Sequence, residues 1–318
     1  MKDDQLYANG RVAVLSTRLL GADKFNRLAE CNSLAEAMKV LTEFNFGGGA
    51  STDSVESMLT AELDNAMCLL KELCTNSFAT EFFLCRYKYH NAKVLMKRKY
   101  MRQSGTDGCF LQTGQDVCEL QENFVNDDYS ACTKNMAEGC DKIDVQFADG
   151  NRSPQVIDFC LDKAMYADMR LFAQKSHSAP VKRLFVWEAD TTNLMLLYRF
   201  KKAARQKADL ESWLIDGGEL KKQTLFDLWD NENLAADLPE TYKAFFALCT
   251  QANANLMAAE RAQKTGRNKI IDDNADFLTI QPVLQYFFNK VDEIDKVRSI
   301  VIAVKNGVSK DEIKNKIK

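Results

Sequence analysis

The feature that most constrains the fold is the helical spacing of apolar residues, which runs along nearly the whole chain. Only 4 prolines and 14 glycines occur among 318 residues, so the residues that end or bend regular elements are scarce. Within residues 53–73, Leu59, Leu63, Met67 and Leu70 recur at steps of four, four and three, as on one helix face. No run alternates apolar and polar residues as a half-buried strand does. The sequence therefore predicts an all-α fold.

Capping residues and helix breakers predict several boundaries. Ser33, followed by Glu36 three residues later, has the pattern of a capping box. Ser51 or Thr52 is expected to open the helix over 53–73, and Ser153-Pro154 opens another because proline is favoured in a first helical turn. Further long helices are predicted at 77–103, 180–205, 239–263 and 282–306, and two or three short ones within 106–152.

Three similar stretches recur at a nearly constant interval. They are centred on Asn91, Asn193 and Lys296, which lie 102 and 103 residues apart. A second register, at an offset of 200 residues, matches Phe25 with Leu225, Leu28 with Leu228, and residues 33–35 with 233–235. Because repeats bury faces that neighbouring copies share, we predict three divergent helical units, over 1–104, 105–216 and 217–318.

Charge and hydropathy exclude two classes of partner. The 42 Lys and Arg against 45 Asp and Glu give a net charge of −3, which is unlike the basic face of a nucleic-acid-binding protein. No run of about 18 apolar residues is present, so the chain is not expected to span a bilayer by itself. The N-terminus has no apolar leader pattern, which predicts a cytoplasmic location.

Patterns typical of catalytic and metal sites are also missing from the sequence. None of the ten cysteines forms a C-x-x-C pair, and only two histidines are available, so free thiols are expected rather than a zinc site. The glycines at 47–49 lack the lysine of a phosphate-binding loop. Neither His90 nor His177 belongs to a recognisable nucleophile-and-acid arrangement. We predict no catalytic, cofactor-binding or metal-binding residue.

Several motifs, in order along nearly the whole chain, resemble the C-subunit family of V/A-type (vacuolar-type) ATPases, which includes the eukaryotic d subunit. The segments that carry the resemblance are Tyr7-x-x-x-Arg11-Val12 with Leu19-Leu20, Tyr87 to Lys93 around Asn91, Asp190-Thr191-Thr192-Asn193-Leu194, Gly217-Gly218-Glu219-Leu220, and Glu293-Ile294 through Arg298 to Gly307. Two positions depart from the family pattern: Lys88 stands where the family favours Asp, and Ala92 where it favours Leu. If that Asp pairs with a base on the adjoining unit, the pair is lost or reversed in the first repeat.

The resemblance implies a funnel of three helical repeats around a pseudo-threefold axis. It implies a non-catalytic coupling subunit of a rotary proton- or sodium-translocating ATPase. The partners would be the central stalk, with its D- and F-type subunits, and the proteolipid ring of the membrane. The protein would lie on the cytoplasmic face, associated with the membrane through the ring.

Basic residues late in each repeat helix are the candidate partner interface. They are Lys93, Lys97, Arg199, Lys201, Arg298 and Lys305. Cations are also favoured near helix C-termini, so an alternative role as solvated helix ends stays open.

Two other functions compete with the coupling role. Asp272, Asp273 and Asp276 form an acidic run like the magnesium-binding Asp-Asp-x-x-Asp of all-α prenyl-diphosphate enzymes, in which helical spacing places carboxylates on one face. The alternative is that the run is a loop or an N-cap cluster that opens a helix, because acidic residues are favoured at helix starts. A generic helical-repeat scaffold with another partner is the remaining alternative.

Overall fold

The computed structural model describes residues 2–48, 54–101, 110–111, 113–114, 116–150, 153–250, 256–273 and 276–317. Within these ranges the chain forms fifteen α-helices and one 3₁₀ helix, and no strand. The all-α prediction is confirmed. None of the helices in these ranges combines the length and the apolar composition that a bilayer crossing needs.

The α-helices are numbered in chain order. They are α1 (Lys2–Ser16), α2 (Ala22–Ala29), α3 (Leu34–Glu43), α4 (Val55–Leu73), α5 (Ser77–Met101), α6 (Val117–Val125), α7 (Lys134–Ala148), α8 (Pro154–Lys175), α9 (Ala179–Lys202), α10 (Lys207–Trp213), α11 (Lys222–Asp230), α12 (Glu240–Thr250), α13 (Leu256–Asp272), α14 (Gln281–Lys305) and α15 (Lys310–Ile317). The 3₁₀ helix, Glu232–Asp237, follows α11.

The first of two compact units combines both ends of the chain: Met1–Asn76, Asp107–Gly114 and Ala275–Lys318. Helix α14 packs against α1, α2, α3 and α4, and α15 packs against α2. Their shared core includes Leu28, Leu41, Leu59, Val297 and Ile300, all almost fully buried. The C-terminal long helix thus completes the core that the N-terminal helices begin.

The second unit comprises Ser77–Thr106 and Gln115–Asn274. In its first part α8 packs against α5 and α7. In its second part α9 packs against α12 and α13, around a core that includes Leu194, Leu197, Leu225, Phe245 and Cys249. Each part therefore has one long helix as its central element.

The predicted periodicity is visible in the helix boundaries. The long helices α5, α9 and α14 begin at residues 77, 179 and 281, at intervals of 102, and contain 25, 24 and 25 residues. The short helices α2 and α11 begin at residues 22 and 222 and bury the apolar pairs that the second register matches. Division into three units over 1–104, 105–216 and 217–318 stays a prediction.

Local signals place most helix ends correctly. Ser33 Oγ accepts a hydrogen bond from Glu36 N, which confirms Ser33 as the N-cap, while the returning bond of the Glu36 carboxylate goes to Asn32 N, one residue before the N-cap. The N-cap of α4 is Ser54, whose hydroxyl accepts from Ser57 N, and not Ser51 or Thr52, which lie outside the described residues. The described parts of the helix predicted over 239–263 lie in α12 and in the first half of α13, and residues 251–255 lie outside the described residues.

Candidate partner interface

Five of the six bases predicted to form the interface lie in ion pairs within their own unit. The pairs are Lys93 Nζ–Asp162 Oδ1 at 2.5 Å, Lys97 Nζ–Asp158 Oδ1 at 2.7 Å, Arg199 Nη2–Glu260 Oε1 at 3.3 Å, Lys201 Nζ–Glu232 Oε1 at 2.5 Å and Arg298 Nη2–Glu56 Oε2 at 3.5 Å. Lys305 is exposed, and it makes no ion pair with any residue in the described ranges.

These pairs connect each long helix to a helix or turn packed beside it. The acids that pair with Lys93 and Lys97 lie on α8, the partner of Arg199 lies on α13, and that of Arg298 lies on α4. Exposed or half-exposed pairs of this kind contribute about 0–1 kcal/mol each. A base can therefore exchange its internal acid for one on a partner protein at little cost, but that it does so stays a prediction.

The long helices also carry buried polar residues that fix neighbouring loops. Asp190 of α9 is fully buried, and its carboxylate accepts from Glu219 N at 2.9 Å, Leu220 N at 3.1 Å and the Tyr242 hydroxyl at 2.9 Å. One turn later, Asn193 donates to Ile215 O at 2.9 Å and accepts from Ile215 N at 2.8 Å. Together they hold the loop over 214–221, which contains the Gly217-Gly218 motif.

Burial sets the electrostatics of this loop anchor. It raises the pKa of Asp190, and the donors from Glu219, Tyr242 and Leu220 oppose the rise. Burial also raises the pKa of Tyr242, and the adjacent Asp190 carboxylate raises it further. Tyr242 therefore stays a neutral donor.

A charged cluster performs the same task on α14. Glu293 Oε2 accepts from Leu20 N at 2.5 Å, and its other oxygen lies 2.5 Å from Lys290 Nζ. Lys290 also pairs with Glu62 of α4, whose Oε1 accepts from Gly47 N at 2.7 Å. Burial lowers the pKa of Lys290, but Glu293 and Glu62 outweigh burial and raise it overall. The cluster fixes the loops before α2 and after α3.

A third buried carboxylate belongs to the first part of the second unit. Asp168 of α8 accepts hydrogen bonds from Tyr89 at 2.7 Å, from Asn135 at 2.7 Å and from the Thr133 hydroxyl. Burial and the Asp168 charge raise the pKa of Tyr89, which holds it in the donor form. Thr133 also caps α7, so this carboxylate connects α5, α8 and the start of α7.

The sequence pattern centred the repeat on Asn91 and Asn193. It did not predict that the buried carboxylates hold the neighbouring loops and helix starts. Their position in the repeat could have identified these carboxylates, since Asp190 and Glu293 each lie three residues before the repeat centre. Lys88 holds that position in the first repeat and donates to Glu81 at 2.5 Å. The idea that the acid at this position pairs with a base is wrong for Asp190, whose partners are two backbone N–H groups and a tyrosine.

The acidic cluster near residue 272 does not have the geometry that a helical magnesium site requires. Helix α13 ends at Asp272, so Asp273 and Asp276 do not continue one helix face. Asp276 instead accepts a hydrogen bond from Leu278 N at 2.9 Å within a turn. The cluster begins at the last residue of α13 and Asp276 lies in a turn, which agrees with the loop alternative and not with an N-cap cluster that opens a helix. Among the residues that are described, no group of three His, Cys, Asp or Glu could hold a metal ion.

The remaining sequence candidates occupy structural positions. Gly47 and Gly48 have positive φ values of 88° and 71°, a conformation that glycine adopts without strain. They form a turn beside Glu62. His90 is exposed on α5, and His177 has a φ of 51° just after α8.

The chain is similar to known proteins along almost its whole length. The sequence model of the ATP synthase (C/AC39) subunit family matches residues 8–316. The C subunit of the A-type ATP synthase of Thermococcus onnurineus is 23% identical over 97% of this chain and 88% of its own. The C subunits of the A-type ATP synthases of Pyrococcus abyssi and Methanosarcina acetivorans are 22% and 23% identical over 98% of this chain and 89% and 92% of theirs.

The family match extends from the middle of α1 to α15 and includes the long helices α5, α8, α9 and α14. It covers the loop anchors at Asp190, Glu293 and Asp168, and the six bases as well. The chain belongs to the ATP synthase (C/AC39) subunit family.

Proposed function

We propose that this protein is the non-catalytic coupling subunit of a rotary V/A-type ATPase. It joins the central stalk, through D- and F-type subunits, to the proteolipid ring, and it lies on the cytoplasmic face of the membrane through that ring. The observation that carries the proposal is the end-to-end family match over residues 8–316. The complex would translocate protons or sodium ions.

A coupling subunit must transmit torque without yielding, and the buried loop anchors support that role. Asp190, Glu293 and Asp168 each attach a loop or helix start to a long helix through several hydrogen bonds in the protein interior. Satisfied buried networks favour one fixed conformation. We further propose that the repeats over 1–104, 105–216 and 217–318 form a funnel around a pseudo-threefold axis.

The six bases are proposed as one contact surface of this adaptor. Lys93, Lys97, Arg199, Lys201, Arg298 and Lys305 would then exchange their internal acids for acids on the stalk or the ring. Charge complementarity of this kind mainly affects association rate and specificity. An adaptor surface of this kind does not require a catalytic group.

Charge swapping separates the interface role from a purely internal one. Lys93→Glu, Arg199→Glu and Arg298→Glu together should weaken co-purification with proteolipid and stalk subunits. The matched control adds Asp162→Lys, Glu260→Arg and Glu56→Arg, which restores each internal pair with reversed sign. If the control variant assembles like wild type, the bases act only inside the chain, and the interface proposal fails.

A generic scaffold would differ in its partners. Affinity purification of the tagged chain from its native cell should recover proteolipid, D-type and F-type subunits in constant ratio. Recovery of a different, stoichiometric partner without those subunits would contradict the coupling role.

A further inference from the structure

A cleft of about 600 Å³ opens in the first unit between the end of α1, the end of α3, and helices α4 and α14. Its volume lies within the range of about 300–1,000 Å³ that is usual for small-molecule sites. The side chains that matter for its chemistry are Arg18, Lys24, Phe44, Tyr286, Lys290 and Glu293. The loop anchor on α14 forms the floor of the cleft and leaves the space above it open.

The acids that line the cleft are already engaged. Each oxygen of Glu293 has a partner, Leu20 N or Lys290 Nζ, and each oxygen of Glu62 likewise has Gly47 N or Lys290 Nζ. Lys290 makes two of its three possible donations in these contacts. Carboxylates saturated in this way oppose an anion less than free ones would.

The cations and hydroxyl that line the cleft, by contrast, have donors to spare. Arg18 is exposed in the turn after α1, and within the described parts of the chain it pairs with no acid. Lys24 Nζ lies 5.5 Å from the centre of the Phe44 ring and likewise has no acidic partner there. The Tyr286 hydroxyl makes no hydrogen bond to any described residue.

These donors lie around one space, beside the hydroxyl of Tyr286. Burial raises the pKa of Tyr286 and the charges of Glu293 and Glu62 raise it further, while the charges of Lys290 and Arg18 act in the opposite direction. Both cations therefore lie within electrostatic range of the phenolic oxygen. A guanidinium, two ammonium groups and a hydroxyl around one space are the donors that phosphate oxygens accept from.

We propose that this cleft binds a small phosphate-bearing molecule, with Arg18, Lys24 and Tyr286 as its principal ligands. Lys290 supplies a further donor from the floor, and Phe44 supplies an apolar wall for the rest of the molecule. A protein segment fits less well, because specific protein interfaces usually bury about 800 Å² per partner, whereas this cleft is compact. The proposal does not depend on the coupling role.

Calorimetric titration of the full-length protein tests the proposal. Inorganic phosphate, pyrophosphate and ADP are titrated into wild type and into Arg18→Gln/Lys24→Gln, Tyr286→Phe and Arg183→Gln. The last is the matched control, since Arg183 is exposed on α9 and forms no ion pair among the described residues. Circular dichroism verifies that every variant is folded.

Pyrophosphate should bind wild type at one site per chain. The double variant should weaken binding about a hundredfold, at roughly tenfold per lost charge-assisted contact. Tyr286→Phe should weaken it roughly threefold to tenfold, and Arg183→Gln should bind like wild type. Tighter binding of ADP than of pyrophosphate would indicate that Phe44 contacts the nucleobase or another apolar part of the ligand.

Three results would overturn the proposal. One is the absence of saturable binding of all three compounds, and another is equal loss of affinity in Arg183→Gln and the double variant. The third is Arg18-dependent binding to phosphatidylglycerol vesicles or to polyglutamate without binding of the soluble phosphates, because the cleft would then serve a membrane surface or an acidic protein.

Discussion

The loop anchors of α9 and α14 solve the same structural problem with different chemistry. Leu220 and Leu20 are separated by the 200-residue offset of the second register, and each donates its backbone N–H to a buried carboxylate on a long helix. The α9 anchor balances Asp190 with backbone N–H groups and the hydroxyl of Tyr242. The α14 anchor pairs Glu293 with Lys290, which also pairs with Glu62.

The difference between the anchors extends to the residue one turn earlier on each helix. Lys290 precedes Glu293 by three residues, as Trp187 precedes Asp190. The Trp187 indole donates to Gln263 O at 2.9 Å, whereas Lys290 forms the ionic cluster. The comparison teaches that the two repeats share the position of the anchor and the backbone group it holds, while a neutral network can replace an ionic one.

The largest expected effect comes from removing the cation of the ionic anchor. Lys290→Met leaves two buried carboxylates without their shared partner, so unfolding free energy should fall by about 3–5 kcal/mol. All three tryptophans, at 187, 213 and 229, lie in the second unit. The denaturant midpoint followed by circular dichroism should therefore fall more than the midpoint followed by tryptophan fluorescence.

A neutral replacement of the whole cluster is the control for this prediction. Glu62→Gln/Lys290→Met/Glu293→Gln should recover more than half of the loss, since a neutral network suffices in the α9 anchor. A loss below about 1 kcal/mol in Lys290→Met would contradict the assignment of a desolvated ion cluster.

The next effect tests the close packing of the neutral anchor. A Cβ on Gly218 would lie 1.9 Å from Asp190 Oδ1 and 2.7 Å from its Cγ, so Gly218→Ala should cost about 1–3 kcal/mol. A Cβ on Gly10 of α1 would meet no atom within 4 Å, and Gly10→Ala should stabilise by about 0.5–1 kcal/mol. Thermal unfolding measures both changes, and equal signs would refute the packing argument.

The two anchors should also differ in their pH dependence. The pKa of Asp190 is raised in the fold. The stability that its protonation contributes is therefore fully present below the ordinary pKa of 3.8 and is lost as pH rises through the folded pKa. Lys290 also has a raised pKa, so its contribution persists up to the ordinary value of 10.5 and is lost as pH rises through the folded pKa above it. The unfolding free energy is measured against pH. Its change on the acid side should be absent in Asp190→Asn, and its change on the alkaline side should be absent in the triple variant with the neutralised cluster. Loss of the acid-side dependence in the triple variant, or of the alkaline dependence in Asp190→Asn, would contradict this assignment.

The smallest effect belongs to the exposed ion pairs. Lys201→Gln and Arg298→Gln should each change stability by no more than about 1 kcal/mol, because exposed pairs are screened and ordered at an entropic cost. Chemical denaturation of the single variants measures this. A larger loss would place these bases among the structural anchors rather than in the candidate interface.

Local sequence signals predicted much of the fold. Ser33 with Glu36, Ser153-Pro154, and the 102-residue interval each depend on residues close in sequence or on simple periodicity, and the helices begin or repeat accordingly. The Asp272 cluster was ambiguous because acidic residues are common both in loops and at helix starts, whereas here Asp272 ends α13 and Asp276 lies in a turn.

The anchors were harder to predict because their partners are distant in sequence. Glu293 binds the backbone of Leu20 across 273 positions, and Asp190 binds Leu220 across 30. Backbone N–H groups are present at every residue except proline, so the acceptor alone does not reveal its donor. Only the packing of the long helices against the loops selects these pairs.

The shared core of α14 with α1 to α4 has a consequence for biosynthesis. The second unit, which lies entirely within residues 77–274, is synthesised before α14 begins at Gln281. At about 5–20 residues per second, the 207 residues between the end of α4 and the start of α14 take about 10–40 s to translate. During that interval the apolar faces of α2, α3 and α4 lack their principal partner. The N-terminal helices, although made first, are therefore the last to complete their core.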